Sequence, residues 1–289
     1  MCTVSVEVAL AVRAHFAECP TWDAADGTLL WVDMNNGGIH RYHPADGADT
    51  VTEIGQPVAA ALPRADGGLV LSLRDGVAVT GQDGTRRWLT EWPEQGVRGN
   101  DASIDGRGRL WVGTIAGETA PGWLARVDAD GTRHTAATGV RLSNGITWSP
   151  DATRMYYVDT PTRRIDVFDY DLDTGKAANR RVFAEITGTD GVPDGMCADT
   201  DGGVWVALFR GGAVRRYAPD GRLDREITFP ASLTTACGFG GPGLTDLYVT
   251  SARRDLGDAE PEAGNLFVVP GVGQGLPKPQ AVVSEAGKV

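Results

Sequence analysis

The chain of 289 residues carries 38 acidic against 27 basic side chains, a formal net charge of −11, and 39 glycines. That acidic excess, without any Lys/Arg cluster, excludes the basic face a nucleic-acid partner requires and favours cations instead. Frequent Asp-Gly turns and few long helix-forming runs point to many short strands, and length alone leaves open one large β domain or two smaller ones.

Residues 4–12 alternate like a strand and lack the basic start and apolar core of a signal peptide. No stretch approaches the roughly 18 consecutive apolar residues of a spanning helix, so no membrane partner is expected. Cys2, Cys19, Cys197 and Cys237 lack Cys-x-x-Cys spacing, and read as free buried thiols in a reducing cytoplasm rather than as a zinc site.

Further along, a lone polar residue stands four times five positions ahead of an Asp or Ser that opens a turn: Glu18 before Asp23, Asn100 before Asp105, Asn144 before Ser149, Asp194 before Asp199. A β-rich run follows each turn. Two more copies keep the frame with Val58 and Thr235 at the polar position. The centres of the second strands, Trp31, Leu71, Trp111, Tyr157, Trp205 and Tyr248, recur every 40 to 48 residues, the period of a four-stranded propeller blade. The expectation is an all-β, six-bladed β-propeller formed by residues 1–289 as a single domain, its ring closed by the N-terminal strand pairing with the last blade. Closure removes exposed sheet edges. The Asp-Gly pairs are turn chemistry and not ligands. Residues 255–264 read as a polar loop of the sixth unit, and the Gly/Pro-rich tail after Pro270 is uninformative.

In such a ring the first strand of each blade lines the central channel and starts at one mouth. Glu18, Asn100, Asn144 and Asp194 therefore converge, with Val58 and Thr235 completing a lopsided ring. Two carboxylates and amide oxygens form a hard donor set suited to a divalent ion such as Ca²⁺, Mg²⁺ or Mn²⁺. Three protein ligands leave coordination positions free for water and substrate, as in catalytic metal sites. Arg98 is expected near the same mouth and Glu118 in a loop able to fold over it. Alternation along the strand turns Asp101 away from the axis.

The segments Ala17-Glu18-Cys19-Pro20-Thr21-Trp22, Arg98-Gly99-Asn100-Asp101, Leu142-Ser143-Asn144-Gly145-Ile146-Thr147-Trp148-Ser149, Phe168-Asp169-Tyr170-Asp171-Leu172-Asp173-Thr174-Gly175, Val192-Pro193-Asp194-Gly195-Met196-Cys197 and Pro261-Glu262-Ala263-Gly264-Asn265-Leu266-Phe267 follow a shared order. From about Ala14 to about Gly275 the chain resembles the senescence marker protein / regucalcin / gluconolactonase family. The resemblance implies a six-bladed propeller that hydrolyses a small-molecule sugar lactone with one divalent ion. It implies Glu18, Asn144 and Asp194 as metal ligands, Asp194 also as catalytic base, and Arg98, Asn100 and Glu118 as substrate contacts. Ca²⁺ is the expected bound ion, with Zn²⁺, Mn²⁺, Mg²⁺ or Fe²⁺ as alternatives for activity; a monomer or weak dimer is compatible with it. Two departures stand out: Ala17-Glu18-Cys19-Pro20 replaces Gly-Glu-Ser-Pro, and Asn100-Asp101-Ala102-Ser103 replaces Asn-Asp-Gly-Lys, which removes a cation expected near the mouth. A phosphotriesterase or fluorophosphatase on the same scaffold, a non-catalytic calcium-binding regulator and a protein-interaction platform are the alternatives.

Overall fold

Runs such as Leu29-Leu30-Trp31-Val32 and Val204-Trp205-Val206-Ala207 are apolar at consecutive positions, the pattern of strands covered on both faces. In the computed structural model, which describes residues 5–284, these runs are fully buried second strands of antiparallel sheets. Six sheets of four strands each form the ring. Their inner strands are Ala17–Asp23, Val58–Pro63, Arg98–Ile104, Ser143–Trp148, Val192–Ala198 and Thr234–Gly240, taken here as blades 1 to 6. Outer strands such as Ala48–Glu53 and Leu223–Thr228 face solvent.

All six aromatic or leucine centres predicted for second strands lie in them. The N-terminal strand, Glu7–Leu10, pairs antiparallel with Leu266–Val269 and supplies the outer strand of blade 6, which closes the ring as expected. Val4 and Cys2 lie outside the described residues. Cys19, Cys197 and Cys237 are free and buried, with the sulfurs of the last two 3.8 Å apart. No helix among the described residues is long and apolar enough to cross a membrane.

In blades 3 and 5 a turn carboxylate ties the end of the inner strand to its surroundings. Asp199 accepts the backbone N–H groups of Asp201 and Gly203 on Oδ1 and the Trp205 indole N–H on Oδ2 at 2.8 Å, and Arg216 donates to both oxygens. Asp105 repeats the pattern with the N–H groups of Arg107 and Arg109, the Arg109 side chain and the Tyr170 hydroxyl.

The tail, uninformative in the sequence, has a defined place in the structure. Residues 271–284 run as a strap across the face that carries these turns. Thr200 N–H donates to the Gln274 carbonyl, Gly275 N–H to Leu244, Ala281 N–H to Pro63, and Val282 N–H to Gly108. The segment's many Gly and Pro residues gave no strand signal because its hydrogen bonds go to turns rather than to a ladder.

Asp199→Ala leaves two backbone donors, an indole and a guanidinium without their partner in a buried place, so it is expected to cost about 3–5 kcal/mol. Asp220→Ala, at an exposed turn with one bond to the Arg222 N–H, is expected to cost below about 1 kcal/mol. Urea unfolding midpoints of the two variants check the difference.

Candidate active site

Every inner strand is irregular at its ring position. The pairing register shifts between Glu18 and Thr21, Val58 and Ala60, Gly99 and Ala102, Ser143 and Ile146, Pro193 and Met196, and Thr234 and Ala236. Such bulges set two residues against one and re-aim side chains. Glu18, Asn100, Asn144 and Asp194 come together here, lining one cavity of about 190 Å³ with Arg98 and Thr160. All four ring residues are at least nine-tenths buried.

Hydrogen bonds orient the amides. Asn144 Nδ2 donates to the Thr160 hydroxyl at 2.8 Å, which donates in turn to the Pro193 carbonyl. This fixes Asn144 Oδ1 toward Asn100, whose Nδ2 donates to it at 2.8 Å and to the Ser143 carbonyl at 2.7 Å. With both its N–H groups used, Asn100 turns its own amide oxygen elsewhere. Val58 and Thr235 stay buried outside the cavity lining; the Thr235 hydroxyl donates to the Ala17 carbonyl.

Burial drives the carboxyls of Glu18 and Asp194 well above the usual range. The charges of Asp194 and Asp101 add to the effect on Glu18, and that of Asp101 to the effect on Asp194; only the N–H groups of Cys19 and Gly195 oppose it. Asp194 Oδ1 is buried with no hydrogen-bond partner. An orphaned carboxylate oxygen, a second uncompensated carboxylate and an amide oxygen held in place fit a hard divalent cation. Among the described residues no three His, Cys, Asp or Glu side chains form a metal-binding group, so Asn144 is needed to complete a three-residue set.

Asp101 departs from expectation. Strict alternation turns it away from the axis, but the bulge between Gly99 and Ala102 directs it into the channel, below the ring, where it lines a second, smaller cavity. Burial raises its carboxyl to about 6, against the opposing effects of the Ala102 N–H and the Lys278 charge. The equivalent positions, Cys19, Ala59, Gly145, Gly195 and Ala236, are all small or uncharged. A Cβ on Gly195 would lie 2.4 Å from the Ala236 Cβ, and one on Gly145 2.8 Å from the Asp194 carbonyl, so those bulges have no room for a side chain. Ser103 also borders the lower cavity and not the cavity at the ring. The cation missing at that position is therefore missing from the channel floor, not from the mouth.

Arg98 lines the upper cavity; burial and the charges of Arg74 and Arg254 lower its pKa. Glu118 is exposed and does not line the cavity. Phe16, Met34, Asn35, Phe209 and Arg254 do line it, and sequence reasoning passed over them. Each lies at the end of a second strand, just beyond one, or beside the ring residue. Second strands run back toward the mouth, and that direction is the signal that marks them. Phe16 and Phe209 stack with centroids 5.8 Å apart and give the cavity an apolar wall.

Residues 16–253 match the family model described as SMP-30/Gluconolactonase/LRE-like region. The chain is 34% identical to regucalcin of Oryctolagus cuniculus over 96% of its own length and 98% of the relative. It is 36% identical to pentonolactonase XacC of Haloferax volcanii, over 86% of this chain and 85% of that one. The solved structure of a calcium-binding protein, regucalcin, from Agrobacterium tumefaciens superposes with a TM-score of 0.90 at 31% identity, covering 96% of this chain and 97% of that one. A propeller with this ring, matched over most of its length, belongs to the SMP-30/gluconolactonase/LRE-like family.

Proposed function

We propose that the protein hydrolyses a sugar lactone to the corresponding sugar acid, with one divalent ion held by Glu18, Asn144 and Asp194. The observation that carries this reading is the buried, unpartnered Asp194 Oδ1 at the inner end of a solvent-reachable cavity that also holds a second carboxylate, oriented amides and an arginine. The pentonolactonase among the relatives supports the substrate class. The Agrobacterium structure, described as a calcium-binding protein, supports a second reading, ion binding without turnover.

When bound, the ion supplies Lewis acidity at a carbonyl oxygen. The protein's own groups do the rest. Asp194 takes a proton from the attacking water and returns it to the ring oxygen as the ester bond opens, so water is added across that bond without any redox change. Arg98 donates to the oxygens of the sugar, the free amide oxygen of Asn100 accepts from a hydroxyl, and the Phe16 and Phe209 wall covers the apolar side of the ring. Glu118 reaches the substrate when its loop, residues 116–121, folds toward the mouth.

The direct test is acid release from a panel of five- and six-membered aldonolactones, using chelated protein with Ca²⁺, Mn²⁺, Mg²⁺ or Zn²⁺ added back. Chelation is expected to abolish hydrolysis while the far-ultraviolet spectrum stays that of a folded β protein. Full turnover by verified metal-free protein contradicts the reading; tight Ca²⁺ binding with no lactone hydrolysed favours the regulatory one.

Asp194→Asn keeps an oxygen that can face the ion but cannot accept a proton at neutral pH. Since a positioned base contributes ~10²–10⁴ in rate, this variant is expected to lose activity on that scale while retaining measurable bound ion and a near-parental melting temperature. Metal-saturated Asp194→Asn with a rate within a few-fold of the parent reduces Asp194 to a ligand.

Linkage gives a further expectation. Glu18 and Asp194 have folded pKa values above their unfolded ones, so the native state binds more protons than the unfolded state between those values. The stability this confers is present at low pH and lost as pH rises through the folded pKa. Metal-free protein is therefore expected to become less stable from mildly acidic to neutral pH, and a saturating divalent ion to remove that slope. Denaturant midpoints across the range, with and without ion, measure it.

A further inference from the structure

The strap on the far face does more than cover the channel. Lys278 and Pro279 share a small cavity of about 30 Å³ with Cys19, Asp101, Ser103 and Cys237, room for about one water. The lysine is held in place from both sides. Before it, Thr200 N–H donates to Gln274 and Gly275 N–H to Leu244; after it, Ala281 N–H donates to Pro63 and Ala65 N–H to Ala281, each at 2.8–2.9 Å. Pro277 and Pro279 flank it and restrict its backbone. Its positive charge is felt at Asp101, Cys19 and Cys237, which belong to three different blades. Asp101 in turn acts on Glu18 and Asp194.

The channel thus holds a column of charge. Glu18 and Asp194 stand at the ring, Asp101 below them and the Lys278 ammonium at the floor. Arg98 and Arg254 line the ring's cavity on the mouth side, whereas Asp101 and Lys278 line the cavity beneath it. No other blade has a charged residue at the Asp101 position, so the third carboxylate is particular to blade 3. Ser103 borders the same cavity, and the strap brings Lys278 to it from the opposite end of the chain.

We propose that Asp101 and Lys278 are positioning residues which act from beneath the ion, on the side away from the substrate, to set the affinity of the ring for cations and its preference for a double charge. The proposal rests on the reading of Glu18, Asn144 and Asp194 as ion ligands. Neither residue touches the ion; both act through the field inside a channel of low dielectric, where a charge several ångströms away is poorly screened. Asp101 strengthens cation binding, and Lys278 weakens it and penalises a triple charge more than a double one.

The test is calorimetric titration of the full chain with Ca²⁺ and with Tb³⁺ at about pH 7.5, above the range where Asp101 titrates. Asp101→Asn is expected to weaken Ca²⁺ binding by roughly tenfold or more, and Lys278→Met to tighten it several-fold. Each change should be larger for Tb³⁺, since the interaction scales with ion charge. The double variant should return close to the parent, and Lys278→Arg should resemble the parent throughout. Thermal melts of the metal-free variants report whether the strap remains seated. Weaker binding by Lys278→Met, in step with a lowered melting temperature, makes the lysine a structural clip and overturns the proposal. So does unchanged affinity in Asp101→Asn. A parent chain that binds neither ion overturns the ligand reading itself, and this inference with it.

Discussion

Two carboxylates are buried where the strands of the ring converge, and among the described residues no cation forms an ion pair with either. Taking an ion out of water costs several kcal/mol even after relaxation, and Glu18 and Asp194 meet that cost side by side with only backbone N–H groups in support. The molecule tolerates the arrangement because its stability is built elsewhere, in the blade cores around Trp31, Trp111 and Trp205 and in the turn carboxylates at the opposite face. The ring therefore holds two carboxyls whose ionisation burial opposes, and the divalent ion proposed for this place would relieve that cost.

The division of labour follows from strand direction. Inner strands begin at the site and end at the turns, so blades 1, 3, 4 and 5 each contribute one polar residue to the cavity and, five positions later, an Asp or Ser to a turn. Asp199 is saturated by an indole, a guanidinium and two N–H groups, whereas Asp194, one strand length away, keeps an oxygen with no partner. The same residue type is saturated in one place and left with an open acceptor in the other because of what surrounds it.

The repeat made most of this legible. Its period fixed the number of blades, and its register put Glu18, Asn100, Asn144 and Asp194 in one ring, because equivalent positions of a closed repeat converge whatever their identity. Asp101 was misread because alternation assumes a regular strand, and a bulge at the ring cancels it. A column of small residues at the five equivalent positions was the available sign that this position faces a crowded interior. Lys278 had no local sign at all, since a strap held by turns has neither period nor alternation. Arg254 and Asn35 follow second strands, and their place at the mouth could be found only once strand direction was followed past the strand ends.

The account depends on one convergence: that the bulged starts of blades 1, 4 and 5 hold a cation among them. Anomalous diffraction from crystals grown with Mn²⁺ tests it most directly. The account predicts a single strong peak inside the channel mouth, within coordination distance of Glu18, Asn144 Oδ1 and Asp194 Oδ1, with open positions facing Arg98 and Asn100. A peak at the surface carboxylates, with the ring left empty at saturating ion, contradicts it.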